Sequence, residues 1–225
     1  MGKYKVILFD LDGTLSDPKE GITKSVQYAL QQMGFEEPEL DDLESFIGPP
    51  LQVTFGEYGF DEENCKKAIN LYRERFKAKG MFENKLYSNI PSLLNSLKEL
   101  QFKLVVATSK PTVFADQILK HFNIDHYFEL VVGSNLDGTR TSKTEIIQYI
   151  LDRYNKHKLD DFIMIGDRKH DIIGANNTGI DSIGVTYGYG SFEELSNVNP
   201  TYIVNSVMEI KNVLIGSHRK SEELI

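Results

Sequence analysis

A run of four apolar residues near the start of the chain, Val6–Phe9, ends directly in two carboxylates, Asp10 and Asp12. The run predicts a buried strand, and Gly13 directly after it predicts a turn. Two acidic side chains are thereby placed together at the end of a buried strand. They repel each other unless a cation joins them, and this constrains the chain more than any other feature of its sequence.

Magnesium is suited to this position because it prefers oxygen ligands. A surface turn is the competing interpretation, since Asp and Gly are also ordinary turn residues. The pair of carboxylates favours a functional site, and the remainder of the chain decides between the two interpretations.

The composition is typical of a globular protein. Hydrophobic residues make up 40% of the 225 positions, enough for a sizeable core in one large domain or in one domain with a smaller insert. The net charge of −8 argues against a general nucleic-acid surface, although it does not exclude an anionic small molecule. Cys65 is the single cysteine, so no internal disulfide forms.

The first apolar run is too short for a signal peptide or a membrane span. We therefore expect a soluble, cytoplasmic protein with no membrane partner and no nucleic-acid partner. The oligomeric state stays open between a monomer and a homodimer.

A stretch without predicted strands follows the first strand. Apolar residues recur in it at helical spacing, and Gly48-Pro49-Pro50 interrupts the pattern. We interpret this tripeptide either as a plain helix break or as a rigid loop that reaches toward the site. The stretch predicts a small helical domain, with helices over residues 22–33, 41–46, 51–58 and 62–79.

From about Leu86 onward, predicted strands and helices alternate, which indicates a parallel sheet covered on both faces. The predicted fold class is α/β, a doubly wound parallel sheet with a small helical domain inserted after its first strand. Ligands bind beyond the carboxyl ends of the strands in such sheets, so each strand end is a candidate site. The predicted strands are 103–107, 130–132, 162–165, 182–185 and an edge strand at 202–204, and the predicted helices are 90–100, 113–122, 143–154, 171–177 and 207–214.

Two later strands also end in polar residues. Thr108 and Lys110 follow one of them; a hydroxyl there can donate to a phosphate oxygen, and a helix cap is an equal alternative. Asp167 and Asp171 follow another, where acids at an ordinary helix start are the competing interpretation.

Lys143 opens a predicted helix, although the helix dipole disfavours a cation there. The loop before it contains two glycines, as a phosphate-binding P-loop does. Thr139-Arg140 replaces the required Lys-Ser/Thr pair, so we reject a P-loop.

In family order, these stretches resemble the four motifs of the haloacid-dehalogenase-like (HAD) phosphatases. The matching residues are Asp10-Leu11-Asp12-Gly13-Thr14 for the first motif, Thr108 for the second, Lys143 for the third, and Gly166-Asp167 with Asp171 for the fourth. Residues 137–140 and 166–175 are similar to the phosphoglycolate-phosphatase-like branch.

The resemblance covers nearly the whole chain, because the helical insert looks like the α-helical cap of that family. It implies a Rossmann-like HAD core made of residues 1–15 and 86–225. The cap domain, including its hinges, would be residues 16–85.

The resemblance also implies a magnesium-dependent phosphatase that works through an aspartyl-phosphate. Asp10 would be the nucleophile, and Asp12 would protonate the leaving group and then accept a proton from water. Lys143 would bridge the nucleophile and the phosphate, with Lys110 as runner-up for that role. Thr108 would bind the phosphate together with Lys143.

The resemblance assigns the magnesium ligands as well. They would be the carboxylates of Asp10 and Asp167 and the backbone carbonyl of Asp12. Asp171 would be a further ligand or a residue that orients waters around the ion.

Three other functions are weighed against this one. A phosphomutase of the same superfamily shares all four motifs and differs in its cap contacts. A receiver-type switch has its phosphorylated Asp on a later strand and lacks a helical insert, and Asp12 would hydrolyse its phosphorylated form. A catalytically inactive binding protein is disfavoured because every motif position carries a competent residue.

We expect a small phosphomonoester as substrate, either phosphoglycolate-like or a nucleoside monophosphate, and the branch resemblance favours the former. The insert has no concentrated basic face that would attract a polyanion. Its connections, near residues 15–18 and 80–86, can act as hinges of a lid that excludes water.

Overall fold

The computed structural model of the protein describes residues 3–36 and 38–219. Six strands of this part of the chain form one parallel sheet, in the spatial order β5-β4-β1-β6-β7-β8, and β2 and β3 form a separate antiparallel pair. Numbered along the chain, the strands are β1 (Val6–Phe9), β2 (Ser16–Asp17), β3 (Lys85–Leu86), β4 (Lys103–Pro111), β5 (Leu130–Ser134), β6 (Phe162–Gly166), β7 (Asp181–Val185) and β8 (Tyr202–Val204).

Helices cover both faces of the sheet and form the segment between β2 and β3. The α-helices are α1 (Lys19–Gln32), α2 (Leu51–Glu57), α3 (Glu62–Ala78), α4 (Ile90–Glu99), α5 (Thr112–His121), α6 (Lys143–Arg153), α7 (Lys169–Thr178), α8 (Phe192–Ser196) and α9 (Val207–Arg219). Shorter 3-10 helices cover Leu40–Phe46, Gly80–Phe82, Asp125–Tyr127 and Leu159–Asp161.

Strand β1 lies at the centre of the sheet, and all four of its side chains are fully buried. Val6 and Leu8 pack into the apolar cluster that α6 and α7 share, whereas Ile7 and Phe9 pack into the larger cluster on the opposite face. Side chains alternate along a strand, so an uninterrupted apolar run is what a strand covered on both faces requires.

The strand order reverses at β1. After β1 the chain forms β4 and β5 on one side, and it then crosses back to form β6, β7 and β8 on the other side. Phe9, the last residue of β1, pairs with Val106 of β4 and with Ile165 of β6. The carboxyl ends of these three strands therefore meet at one switch point, where doubly wound sheets bind their ligands.

The helical segment is connected to the sheet through β2 and β3, which run side by side as an antiparallel pair. It packs against the sheet domain through aromatic contacts, such as that of Phe76 in α3 with Phe114 in α5, whose ring centroids are 5.6 Å apart. This paired connection supports the proposed division into a core of residues 1–15 and 86–225 and a cap of residues 16–85.

The predicted α/β fold is confirmed, as is the edge strand at Tyr202–Val204. Strand β4 continues beyond its predicted end to Pro111, with a shift of register between Ala107 and Pro111. The residues predicted as a helix over 41–46 form part of a 3-10 helix. Strands β2 and β3 and helix α8 were not predicted, because such short elements show no periodic pattern.

No helix among the described residues is long and apolar enough to cross a membrane. The cytoplasmic location, the absence of a nucleic-acid partner and the oligomeric state stay predictions.

Helix α1 approaches the turn after α3 so closely that Gly21 has no room for a side chain. A Cβ atom on Gly21 would lie 1.9 Å from the carbonyl oxygen of Gly80. We expect Gly21→Ala to lower the free energy of unfolding by about 2 kcal/mol, because the backbone has to move apart. Urea unfolding of the purified variant measures this change.

Gly56 in α2 is the matched control, because a Cβ atom there meets nothing within 4 Å. Gly56→Ala should raise the free energy of unfolding by about 0.5 kcal/mol, since Ala favours a helix over Gly. Equal effects of the two substitutions would contradict the close packing of α1.

Candidate active site

The chain turns sharply after β1 and brings Asp10 and Asp12 into the switch point. Gly13 has a φ of +84°, a left-handed conformation that favours glycine. A Cβ atom on Gly13 would also lie 2.1 Å from Oδ2 of Asp167. The turn thus depends on glycine both for its conformation and for its close approach to the end of β6.

Three carboxylates meet at this point. Oxygen atoms of Asp10, Asp167 and Asp171 lie within 4.8 Å of one another, and all three residues are buried. Asp167 directly follows β6 and accepts a hydrogen bond from the backbone N–H of Tyr189 at 2.8 Å. Asp171 lies in the first turn of α7 and accepts one from the backbone N–H of Arg168 at 3.1 Å. We call Asp10, Asp167 and Asp171 the carboxylate cluster.

Lys143 is the buried lysine that contacts the carboxylate cluster. Its Nζ lies 2.6 Å from Oδ1 of Asp10 and 2.7 Å from Oδ1 of Asp171, and it donates to the carbonyl of Ala107 at 2.8 Å. Burial alone would lower the pKa of Lys143, but Asp10 and Asp171 outweigh burial and raise it. The place of Lys143 at the start of α6, where the dipole disfavours it, is thus compensated by two carboxylates.

Burial destabilises the charged forms of Asp167 and Asp171. It raises the pKa of Asp167 well above its ordinary value, and Asp171 and Asp10 add to the rise. Burial also raises the pKa of Asp171 to about 6, although Lys143 opposes that shift. One lysine therefore faces more negative charge than it can balance.

The donor set fits Mg²⁺. The carboxylate cluster offers hard oxygen ligands in a buried position, and Oδ1 of Asp10 and of Asp171 accept no hydrogen bond beyond their ion pairs with Lys143. A divalent cation at the cluster would neutralise the charge that Lys143 leaves unbalanced.

Asp12 has a different partner. Its Oδ2 lies 2.8 Å from Nζ of Lys110, while its Oδ1 has no hydrogen-bond partner among the described residues. Burial raises the pKa of Asp12, and Lys110 opposes the rise. The ring of Phe76 in the cap lies over Lys110, with 4.5 Å between Nζ and the ring centroid. The structure thus pairs Lys143, and not Lys110, with Asp10.

Thr108 lies in the extension of β4, beside the residues that follow β1. It is fully buried, and its hydroxyl accepts a hydrogen bond from the backbone N–H of Lys110 at 3.2 Å. The hydroxyl hydrogen can still be donated to another group. The structure therefore brings the predicted site residues together around the carboxyl end of β1.

A cavity of about 350 Å³ lies between the helical segment and the sheet domain and reaches Asp12 and Lys110. Its wall is mostly apolar and aromatic on the cap side, with Phe46, Leu51, Tyr72 and Phe76 among the lining residues. Most ligand pockets combine such an apolar wall with a few polar groups.

Gly48-Pro49-Pro50 is a break between helical elements that also lies at the cavity. The tripeptide separates the 3-10 helix from α2, and all three of its residues line the cavity. Arg73 also lines it; Nη1 of this residue donates to the carbonyl of Leu136 at 3.1 Å. Nε of Arg73 is buried and has no partner among the described residues.

Sequence reasoning missed Arg73, Arg168 and Tyr189. Tyr189 holds Asp167 through its backbone and donates its hydroxyl to Asp17 in β2. The flanking glycines Gly188 and Gly190 were its one visible sign in the sequence. In the sequence Arg73 and Arg168 look like ordinary charged positions, and only their tertiary contacts distinguish them.

Comparison with known proteins identifies the family of the chain and several similar proteins. The family model described as "Haloacid dehalogenase-like hydrolase" matches residues 7–185. A 5'-nucleotidase of Pseudomonas aeruginosa is 49% identical over 94% of this chain and 96% of its own. A crystal structure described as a predicted phosphatase from Clostridium acetobutylicum shares 54% identity, with a TM-score of 0.92 over 95% of this chain and 99% of that one.

Two further relatives carry different names. The tyrosine-protein kinase PtkA of Mycobacterium tuberculosis is 36% identical over 90% of this chain and 69% of its own. A phosphoglycolate phosphatase of Vibrio parahaemolyticus is 27% identical over 95% of this chain and 97% of its own.

The raised pKa of Asp167 predicts how the free energy of unfolding depends on pH in metal-free buffer. Its carboxyl binds more protons in the folded than in the unfolded state, so stability is lost as the pH rises from about 4 through the folded pKa. Asp167→Asn removes this loss and should raise the free energy of unfolding by on the order of 2 kcal/mol at about pH 8.

Urea unfolding in excess chelator, measured from about pH 5 to about pH 8, checks the prediction. Asp160→Asn, at an exposed position, is the control and should leave the pH dependence unchanged. Identical pH profiles of wild type and Asp167→Asn would show that Asp167 is not desolvated as described.

Proposed function

This chain belongs to the haloacid dehalogenase-like hydrolases, and on that premise we propose that it is a magnesium-dependent phosphatase of nucleoside 5'-monophosphates. The observation that carries the proposal is the cavity between cap and core, which reaches Asp12 beside the buried carboxylate cluster. The family and the names of its relatives support phosphomonoester hydrolysis. The metal, the intermediate and the choice of substrate are the proposed parts.

Asp10 attacks phosphorus in line, which forms a bond from its carboxylate oxygen to phosphorus, an acyl phosphate, and breaks the bond to the leaving oxygen. Asp12 gives its proton to that oxygen as the nucleoside departs. Asp12 then takes a proton from the water that attacks the aspartyl-phosphate, and free phosphate and Asp10 are restored. The raised pKa of Asp12 suits it to hold a proton for the first step.

Lys143 and Thr108 hold the transferring phosphoryl group in this proposal. Lys143 already contacts Asp10 and thus lies where the negative charge of the reacting group passes. Thr108 contributes its hydroxyl hydrogen. Asp10, Asp167 and the backbone carbonyl of Asp12 would hold Mg²⁺, which would neutralise part of the negative charge at the site. Asp171 either joins these ligands or keeps Lys143 in place.

The cavity favours a nucleoside over a two-carbon leaving group. Its volume of about 350 Å³ lies in the range of pockets that enclose ligands of drug size. The glycolate part of phosphoglycolate would contact little of its aromatic wall, whereas a nucleobase can pack against Phe46 or Tyr72. The relative named 5'-nucleotidase is also more similar than the one named phosphoglycolate phosphatase. A phosphomutase is the alternative within the family.

Asp10→Asn should abolish phosphate release, because an amide is a far weaker nucleophile than a carboxylate. We expect a loss of more than about a thousandfold in kcat with magnesium present. The variant should stay folded, since Lys143 keeps its ion pair with Asp171. Asp160→Asn is again the exposed control, and a residual rate above about a tenth of wild type would contradict Asp10 as nucleophile.

A substrate panel tests the cavity argument. Phosphate release with magnesium should give a kcat/KM at least about tenfold higher for the best nucleoside 5'-monophosphate than for 2-phosphoglycolate. Ile69→Trp, which fills part of the cavity wall, should reduce the nucleotide rate more than the phosphoglycolate rate. Ile173→Trp, at an exposed position on α7, is the matched control.

Equal use of both substrates would reject the nucleotide assignment and leave the phosphatase. Isomerisation of a sugar phosphate without net phosphate release would favour the phosphomutase.

A further inference from the structure

Arg168 joins the carboxylate cluster to the cap without lining the substrate cavity. It directly follows Asp167 in the loop between β6 and α7. Its Nε donates to Oε1 of Glu194 at 2.9 Å, and its Nη1 donates to the carbonyl of Ile47 at 2.7 Å. One guanidinium thus donates hydrogen bonds to the sheet domain on one side and to the cap on the other.

The core side of this contact is firmly held. Glu194 lies in α8 and accepts, on the same oxygen, the backbone N–H of Lys169 at 2.9 Å. The side chain of Arg168 is only 15% exposed and that of Glu194 22% exposed. Hydrogen bonds to charged groups in such partly buried positions are stronger than neutral ones. The direction of Arg168 toward the cap is therefore fixed by the core.

The cap side of the contact is the segment of residues 47–50, which we call the cap loop. Ile47 is fully buried, and a Cβ atom on Gly48 would lie 3.0 Å from Cγ of Arg168. Gly48, Pro49 and Pro50 line the cavity. Arg168 thus touches the same loop that forms part of the wall around the substrate, and it does so from outside the cavity.

We propose that Arg168 is a positioning residue that fixes the cap loop as a wall of the cavity and thereby sets the affinity for the leaving group. The proposal rests on the proposed function, since it concerns the nucleoside part of the substrate. The competing role is to organise the carboxylate cluster, because the backbone N–H of Arg168 donates to Asp171. A substitution such as Arg168→Gln keeps this backbone N–H, so the two roles can be separated.

Arg168→Gln tests the side chain. The KM for a nucleoside 5'-monophosphate should rise about tenfold, which is the loss of one charge-assisted hydrogen bond. The kcat at saturation should change by less than about twofold, because wall contacts bind ground state and transition state alike. For methyl phosphate, whose leaving group is too small to reach the cap loop, kcat/KM should also stay within about twofold.

Two further variants sharpen the test. Lys169→Gln removes the same charge one residue along the chain from an exposed side chain, and it should leave both substrates unaffected. Glu194→Gln keeps the shape of the anchor but removes its charge, and it should shift the nucleotide KM in the same direction as Arg168→Gln, by a smaller factor.

Hydrogen exchange provides a readout that needs no substrate. Arg168→Gln should speed amide exchange in residues 47–53, where the cap loop leads into α2, while exchange in residues 8–12 stays as in wild type. The thermal stabilisation produced by added magnesium should equal that of wild type, because the carboxylate cluster is untouched.

Equal losses for methyl phosphate and the nucleotide, with weaker stabilisation by magnesium, would show that Arg168 acts on the carboxylate cluster and would overturn the proposal. An unchanged nucleotide KM with unchanged exchange in the cap loop would overturn it as well. If the wild type releases no phosphate from any nucleotide, the proposed function fails, and the exchange measurement still decides whether Arg168 fixes the cap loop.

Discussion

The rest of the structure depends on keeping the carboxylate cluster buried although a single lysine, Lys143, contacts its carboxylates. Lys143 lies at ion-pair distance from Asp10 and Asp171. Asp167 accepts a hydrogen bond from the backbone N–H of Tyr189. Desolvation makes such a cluster a cost to folding. The two apolar clusters that bury β1 on both faces have to offset that cost.

Close packing around the cluster is what removes the water. A Cβ atom on Gly166 would lie 2.2 Å from Cγ of Asp171, and one on Gly188 would lie 2.4 Å from Cβ of Asp167. Glycine at these positions lets the end of β6 and the loop after β7 approach the carboxylates directly. The same approach that destabilises the charges would strengthen the attraction of the carboxylates for a cation, because the local dielectric is low.

The sequence predicted the members of the site that lie where an element begins or ends. Asp10 and Asp167 follow apolar strands, and Lys143 stands at a helix start that disfavours it. The partner of Lys110 was not predictable in this way, because β4 runs past its expected end and its register shifts before Pro111. Arg168 could not be predicted either, since its acceptor is a backbone carbonyl 121 residues away and carbonyls have no identity in a sequence.

Tyr189 links the helical cap to the carboxylate cluster. Tyr189 donates its backbone N–H to Asp167 and its hydroxyl to Asp17 in β2, the strand that leads into the cap. Any movement of the cap about β2 and β3 that displaces Asp17 must therefore either break the Tyr189 hydroxyl bond or pull on the loop that holds Asp167. The position of the helical segment and that of a proposed magnesium ligand therefore both depend on one residue, Tyr189.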